Sequence, residues 1–328
     1  MSEHPHREVE FAGCRIAAVV PCFAVRDQVL GVLEAIGPEV DRIYVVDDAC
    51  PQKTGLFVEE NCRDPRVTVL RHEGNRGVGA AVLTGYRQAL ADGAEVLVKI
   101  DGDGQMNPAL VTRFVRPILA GDADYTKGNR FFNIEDVRQM PWLRFAGNAV
   151  LSFISKLASG YWDVFDPNNG FTAIHARVAA LLPFDKISEG YFFESDMLFR
   201  LNTIRAVVVE VPIEARYTDE PSSLSPLGVL PMFFARHSVN FVKRIFYNYF
   251  LRSFSIASVN LVFGGFLVMA GISWGAYAWV RGMEQGQFAS SGQVTLASLP
   301  IIVGTQLLLA FLAHDMSSAP RVPLHGRL

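Results

Sequence analysis

Short runs of consecutive apolar residues punctuate the first 220 positions at intervals of about 25. Arg15-Ile-Ala-Ala-Val-Val20 reads as a buried strand, and a helix is expected from about Arg26 to Ile36. Ile43-Tyr-Val-Val46 and Val67-Thr-Val-Leu70 read as the second and third strands. A turn at Gly74-Asn-Arg-Gly77 opens a helix from about Val78 to Ala91, and Val96-Leu-Val-Lys-Ile100 is the fourth strand. The spacing suits repeated βα units and a largely parallel sheet. In such sheets ligands bind beyond the carboxyl ends of the strands. Asp47, Asp48, Asp101 and Asp103 all fall there.

After about position 220 the pattern changes. Ser253–Val280 is 28 residues without a formal charge, and Val294–Ala313 is a second apolar stretch. About 20 such residues span a bilayer. The two stretches are expected to cross twice, with Trp274, Tyr277 and Trp279 as interface anchors. Between Pro221 and Met283 there is no Asp or Glu. Arg236, Asn240, Lys243, Arg244 and Asn248 recur at helical spacing as a polar stripe with apolar flanks. That predicts interfacial helices against an anionic leaflet, with the lipid bilayer as a partner. The basic flank places the front domain, Met1 and Leu328 on the cytoplasmic side of an integral membrane protein. The expected domains are 1–228 catalytic, 229–252 juxtamembrane and 253–328 membrane-spanning. A pair of buried core helices is the plainer alternative.

Composition narrows the function. Half of the 328 residues are hydrophobic and 19% are charged, and the mean hydropathy is +0.22. A disordered chain is excluded. A net charge of −3 gives no nucleic-acid footprint. Cys14, Cys22, Cys50 and Cys62 form no CxxC pair, against a zinc or disulfide framework. The first twenty residues carry no basic-then-apolar signal-peptide pattern. Pro-Cys-Phe follows the first strand in place of GxGxxG, and GxxxxGK[ST] is absent, so neither a hydride-transfer enzyme nor a P-loop protein is indicated.

Asp101-Gly-Asp103 carries the chemistry. Two carboxylates two residues apart can approach one cation where the chain bends out of its strand. Hard oxygens suit Mg²⁺ or Mn²⁺, which can bind a diphosphate. Gln105 joins them as a third candidate ligand. A solvated acidic turn is the alternative; the apolar strand before the motif and Asp47-Asp48 at another strand end favour the metal.

With these motifs in view, the chain resembles the family 2 glycosyltransferases of the α/β GT-A fold, and within them the polyprenyl-phosphate glycosyltransferases. The motifs are Val19-Val-Pro-Cys-Phe23, Val45-Val-Asp-Asp48, Asn75-Arg-Gly-Val-Gly-Ala80, Lys99-Ile-Asp-Gly-Asp-Gly-Gln105, Gly128-Asn-Arg130 and Asn168-Asn-Gly-Phe171. The resemblance runs from about Ile16 to Leu224. It implies that Pro21, Asp47, Asp48, Asn75, Gly77, Gly79, Asn169 and Gly170 border a UDP- or GDP-sugar. Asp101, Asp103 and Gln105 would hold the metal. Arg130, Arg144 and Asn148 match positions that receive an acceptor phosphate. Asp166, Glu194 and Asp196 would border the donor sugar, and Arg216 to Leu224 looks like a mobile closing loop. The family's Asn-Glu pair after the first strand is missing; Asp27 is the candidate replacement.

The implied reaction is a single displacement with inversion, from a nucleotide-diphospho-sugar to a polyprenyl phosphate. A sugar hydroxyl needs a general base, whereas a lipid monophosphate is already anionic and needs alignment and charge. Alternatives are a hydroxyl or lipid-linked saccharide acceptor and a silent nucleotide-sugar-binding scaffold. The sequence leaves open the sugar, UDP against GDP, the glycan pathway and a homo-oligomer. His72 and His175 read as structural.

Overall fold

The computed structural model describes residues 13–132, 142–214 and 226–328; for 142–146, 148 and 226–230 the description stops at the backbone. Strands β1 (Ile16–Cys22), β2 (Arg42–Asp47), β3 (Val67–Arg71), β4 (Val96–Lys99), β5 (Tyr125–Asn129), β6 (Thr172–His175) and β7 (Val208–Pro212) form one sheet. Their order is β3-β2-β1-β4-β6-β5-β7. Helices α1 (Arg26–Glu34), α2 (Thr54–Asn61), α3 (Val78–Ala91) and α4 (Val111–Leu119) precede β5. Then come α5 (Trp142–Ser159), α6 (Ala176–Ala180), α7 (Phe193–Thr203) and α8 (Pro226–Phe246).

The first four strands are parallel neighbours, as the βα spacing predicts. β6 runs antiparallel to both β4 and β5, so the sheet is mixed. β1 shows why apolar runs, without alternation, make these strands. Ile16, Ala18, Val20 and Cys22 enter the core on one face of the sheet, while Ala17 and Val19 enter the core on the other. A strand covered on both faces has no polar side to show. α4 buries Val111, Phe114, Val115 and Ile118, the spacing of one helical face. α3 lies close to β1: a Cβ on Gly85 would sit 2.3 Å from a Val19 methyl.

The chain divides into two compact units, 1–241 with 320–328, and 242–319. The second contains a π-helical segment, Tyr247–Arg252, and helices α9 (Ile256–Gln285) and α10 (Ser291–Ser317). These cover the two apolar stretches. By length and composition alone each helix could cross a membrane. They meet along small residues: a Cβ on Gly304 would lie 2.7 Å from the Gly264 carbonyl oxygen, and one on Gly271 2.7 Å from that of Ala297. Arg244 Nη1 and Nη2 donate to the Asp315 carboxylate at 2.6 and 3.0 Å, and the Tyr249 hydroxyl donates to it at 2.7 Å. Two members of the expected polar stripe therefore find partners within the protein. Arg244 is buried on Asp315, and Asn240 is buried with its amide on Asp196.

Candidate functional site

β1 pairs parallel with both β2 and β4, so the carboxyl ends of the three strands lie along one edge of the sheet. Asp47, the last residue of β2, is committed to the backbone. It accepts N–H bonds from Cys50 at 2.8 Å and Gly55 at 2.7 Å. Asp48 holds the next turn. Its carboxylate accepts the Arg76 and Gly77 N–H groups at 2.9 and 2.7 Å and pairs with His72 Nδ1 at 2.6 Å. Asn75, Gly77 and Gly79 are thus fixed beside the end of β2. Gly77 has φ +97°, and a Cβ there would lie 2.7 Å from the Glu189 carbonyl oxygen. A Cβ on Gly79 would lie 2.5 Å from that of Ser188, so only glycine lets this turn approach the segment before α7.

Asp101 and Asp103 follow β4. Lys99, the last residue of that strand, is buried, yet its ammonium lies 2.8 Å from Asp101 Oδ1 and 3.2 Å from Glu194 Oε1. Burial pulls the Lys99 pKa down, but Asp101 and Glu194 outweigh it and hold the group charged, above its usual range. Asp103 Oδ1 accepts the Gln105 N–H at 3.0 Å. Gly170 closes the site: a Cβ there would meet Asp101 Oδ2 at 2.5 Å and Lys99 Nζ at 2.6 Å.

A second group of charges sits at the end of β5. Arg130 Nε and Nη2 donate to the two oxygens of Asp166 at 2.8 and 3.1 Å. Asp166 also accepts the Asn169 side-chain amide at 3.2 Å. Glu210 of β7 receives the N–H groups of Phe165 and Asp166, at 2.6 and 2.9 Å, and the Asn129 amide at 2.6 Å. Burial raises the Glu210 pKa. Lys127, buried in β5, donates to the Asn169 carbonyl, and burial pushes it down to about 8 against the pull of Glu194 and Asp166. Asp196 is held by the Ser188 N–H, by Arg200 and by Asn240 at 3.0, 3.0 and 3.1 Å.

Of the expected site residues, Asp101 and Glu194 meet at Lys99, Arg130, Asp166 and Asn169 form a second group, Asp48 holds the Gly77 turn, and Asp196 is held apart by Ser188, Arg200 and Asn240. Pro21 lies in β1, whose last residue hydrogen-bonds through its carbonyl to the Asp48 N–H. Arg144 and Asn148 lie one turn apart on α5; their side chains, and the loop Arg216 to Leu224, fall outside the described residues. Lys127 and Glu210 are contributors that the sequence pattern does not single out. Lys99 was readable only as a charge inside an apolar strand next to the DxD motif. His72 does take a structural part, bracing Asp48 from one ring nitrogen and Thr84 from the other.

Two hard carboxylates at a strand end fit Mg²⁺ or Mn²⁺ chemically. Among the described residues no group of three or more His, Cys, Asp or Glu is placed to hold a metal. Asp101 and Asp103 therefore stand as candidates for two ligands of such a cation, not as a complete protein shell.

The family model "Glycosyl transferase family 2" matches residues 17–181, which hold β1 from its second residue, strands β2–β6 and the DxD motif. The chain belongs to glycosyl transferase family 2. This glycosyltransferase is similar to the UDP-N-acetylglucosamine–dolichyl-phosphate N-acetylglucosaminyltransferase of Methanococcus voltae, at 28% identity over 62% of this chain and 86% of the relative. It is similar to the polyprenol monophosphomannose synthase of Mycolicibacterium smegmatis, at 32% over 61% and 76%. The undecaprenyl-phosphate mannosyltransferase of Micrococcus luteus matches at 31% over 61% and 82%. Among solved structures, the GT-A fold is shared with glucosyl-3-phosphoglycerate synthase of Mycobacterium tuberculosis bound to Mn²⁺, UDP-glucose and phosphoglyceric acid. The TM-score is 0.53 at 20% identity, over 74% of this chain and 85% of that one. The same enzyme with Mg²⁺ and UDP gives 0.52, over 71% and 80%.

These neighbours correct one expectation. The family 2 fold is shared with an enzyme crystallised with small phosphorylated ligands, so the fold does not imply a membrane-resident acceptor. Two long apolar helices are weak evidence as well, because core helices of a soluble protein meet the same length and composition test. The assignment as an integral membrane protein with both termini cytoplasmic is therefore not retained.

Proposed function

We propose that this glycosyltransferase moves a sugar from a nucleotide-diphospho-sugar to the phosphate oxygen of a polyprenyl-type phosphate, by single displacement with inversion. One observation carries the choice of nucleophile. Asp166 is tied to Arg130, Glu194 to Lys99 and Asp196 to Arg200. Carboxylates held by cations are poor proton acceptors, and a phosphate monoester dianion needs none removed. The named relatives that act on dolichyl, polyprenol and undecaprenyl phosphates support the same acceptor class.

In this reading the donor lies over the strand ends, with Asp48 fixing the glycine turn beside the nucleotide. Asp101 and Asp103 would hold Mg²⁺ or Mn²⁺, which supplies charge neutralisation to the departing diphosphate. Arg130 and Asp166 orient the Asn169-Gly170 turn against the sugar. Arg130, Arg144 and Asn148 are assigned to the acceptor phosphate. UDP is the favoured nucleotide, because it is named for the Methanococcus relative and bound in the fold neighbours.

A second reading is transfer to a hydroxyl acceptor. It is favoured by fold neighbours captured with UDP-glucose beside phosphoglyceric acid or glycerol 3-phosphate. Purified protein offered UDP- and GDP-sugars with a short polyprenyl phosphate, phosphoglyceric acid or glycerol 3-phosphate separates the two. A hexosyl polyprenyl phosphate in the mass spectrum is the expected product. Glycosides of the hydroxyl compounds alone would overturn the first reading in favour of the second.

A further inference from the structure

Beyond its tie to Glu194, Lys99 has no assigned part in the transfer, yet its position is costly. It ends an otherwise apolar strand, and its side chain is 1% exposed. An ammonium taken out of water costs several kcal/mol unless opposite charges surround it. Asp101 and Glu194 do so, from β4's own end and from the first turn of α7, at 2.8 and 3.2 Å. The Gly170 backbone packs so closely over the pair that a single added carbon would strike both Nζ and the Asp101 carboxylate.

The cation assigned to Asp101 and Asp103 must approach a carboxylate that already has a positive partner. Like charges at neighbouring positions repel, strongly so where water is scarce. Among the described residues no group of three or more His, Cys, Asp or Glu is placed to hold a metal without other ligands. A bare cation therefore gains little. A diphosphate changes the balance by bringing both negative charge and oxygen ligands.

We propose that Lys99 is a positioning residue, an internal counter-ion that holds Asp101 against Glu194 and makes cation binding conditional on the diphosphate. The inference rests on the reading that Asp101 and Asp103 serve a diphosphate-bound cation. Its consequence is measurable as coupling. UDP tightens Mn²⁺ binding, and by linkage Mn²⁺ tightens UDP binding by the same factor.

The test uses the purified full chain, with free Mn²⁺ followed by electron paramagnetic resonance and UDP binding by calorimetry, with GDP in parallel. Wild type is expected to bind Mn²⁺ weakly alone and to show strong coupling with a nucleotide. Lys99→Met is expected to bind Mn²⁺ alone about tenfold more tightly, with the coupling factor reduced by as much; the tenfold is an order-of-magnitude figure for losing one nearby charge. Lys99→Arg is expected to keep the coupling. Should Lys99→Met fail to fold, Lys99→Met/Glu194→Gln removes the ammonium without leaving Glu194 as an unpaired buried charge, and the same loss of coupling is expected. Wild-type coupling in a folded Lys99→Met or double variant overturns this inference alone. Absence of any coupling in wild type overturns it together with the cation's assigned role.

Discussion

Asp124 and His325, 201 positions apart, are bonded to each other: His325 Nδ1 lies 2.7 Å from Asp124 Oδ1. Asp124 is fully buried at the start of β5. It also accepts the backbone N–H groups of Leu324, His325 and Val207 at 2.8, 2.9 and 2.7 Å. The His325 ring stacks on His175, with centroids 4.4 Å apart. The last nine residues are thereby part of the first unit. Deleting 320–328 would strip the Leu324 and His325 donors from a buried carboxylate that keeps the Val207 N–H. A loss of about 2–4 kcal/mol is expected, from hydrogen bonds to a charged group at about 1.5–3 kcal/mol each with partial replacement by water. Urea unfolding of the truncated chain checks this; an unchanged midpoint would show that the tail contributes nothing.

Acid should weaken the same unit. Burial, with His325 and Arg177 nearby, pushes His175 down to about 4, and burial alone pushes His237 to about 4, from 6.5. Between those values the unfolded chain binds protons that the folded chain does not, so stability falls as pH drops from about 6.5 towards 4. Above 6.5 both histidines are neutral in either state and this dependence vanishes. Unfolding midpoints measured across that window should slope for wild type and flatten for His175→Gln/His237→Gln. Equal slopes would rule out these two groups as the source.

Gly170→Ala probes the donor site sterically. The new methyl would lie 2.5 Å from Asp101 Oδ2 and 2.6 Å from Lys99 Nζ, so the ion pair must shift. Displacements near 1 Å at a reacting centre can cost about a hundredfold in rate. A drop of that order in kcat is expected, with the far-UV spectrum preserved. Unaltered kcat would mean that Asp101 is not positioned by this contact.

Asp101→Asn and Asp103→Asn should both suppress turnover, by about a hundredfold or more if they serve the leaving diphosphate. EDTA should do the same to wild type. Stability should separate them. Asp101→Asn deprives buried Lys99 of one carboxylate, whereas Asp103 is bonded to the exposed Gln105 turn. Only the first should lower Tm measurably. Full turnover in EDTA with both aspartates replaced would remove the metal from the reading.

The parallel half of the sheet was legible because its strands are apolar runs with turn signals at their ends. The expected helix from Val78 to Ala91 and strand from Val67 coincide with α3 and the start of β3. The other half was not. β5 reads Tyr-Thr-Lys-Gly-Asn and β6 Thr-Ala-Ile-His, with little apolar signal, because polar atoms there are satisfied by distant partners. Thr126 bonds the Phe114 carbonyl, and Lys127 that of Asn169. The motifs marked the candidate residues, while the charges paired with them were not legible. The Lys99–Glu194 pair spans 95 positions and the Asn129–Glu210 bond 81, and no local pattern records such pairings.

Arg130 offers the sharpest division between anchoring the site and binding the acceptor. Its guanidinium grips Asp166 with two side-chain bonds, and Asp166 in turn holds the Asn169 amide. Arg130→Ala would strand the Asp166 carboxylate, which is 2% exposed. The cost should be about 2 kcal/mol, below that of a fully buried pair because the Arg130 side chain is 39% exposed. Arg130→Lys keeps the charge but cannot form the paired geometry, so it should recover only part of that loss. If Arg130 also receives the acceptor phosphate, Arg130→Ala will raise KM for the acceptor more than it weakens UDP binding. Arg144, on α5, provides the comparison: Arg144→Ala should raise acceptor KM with nucleotide affinity intact. Calorimetry with UDP beside acceptor kinetics on both variants decides the matter. Equal losses of donor and acceptor affinity in Arg130→Ala, with the acceptor effect confined to Arg144→Ala, would assign Arg130 to holding Asp166 alone.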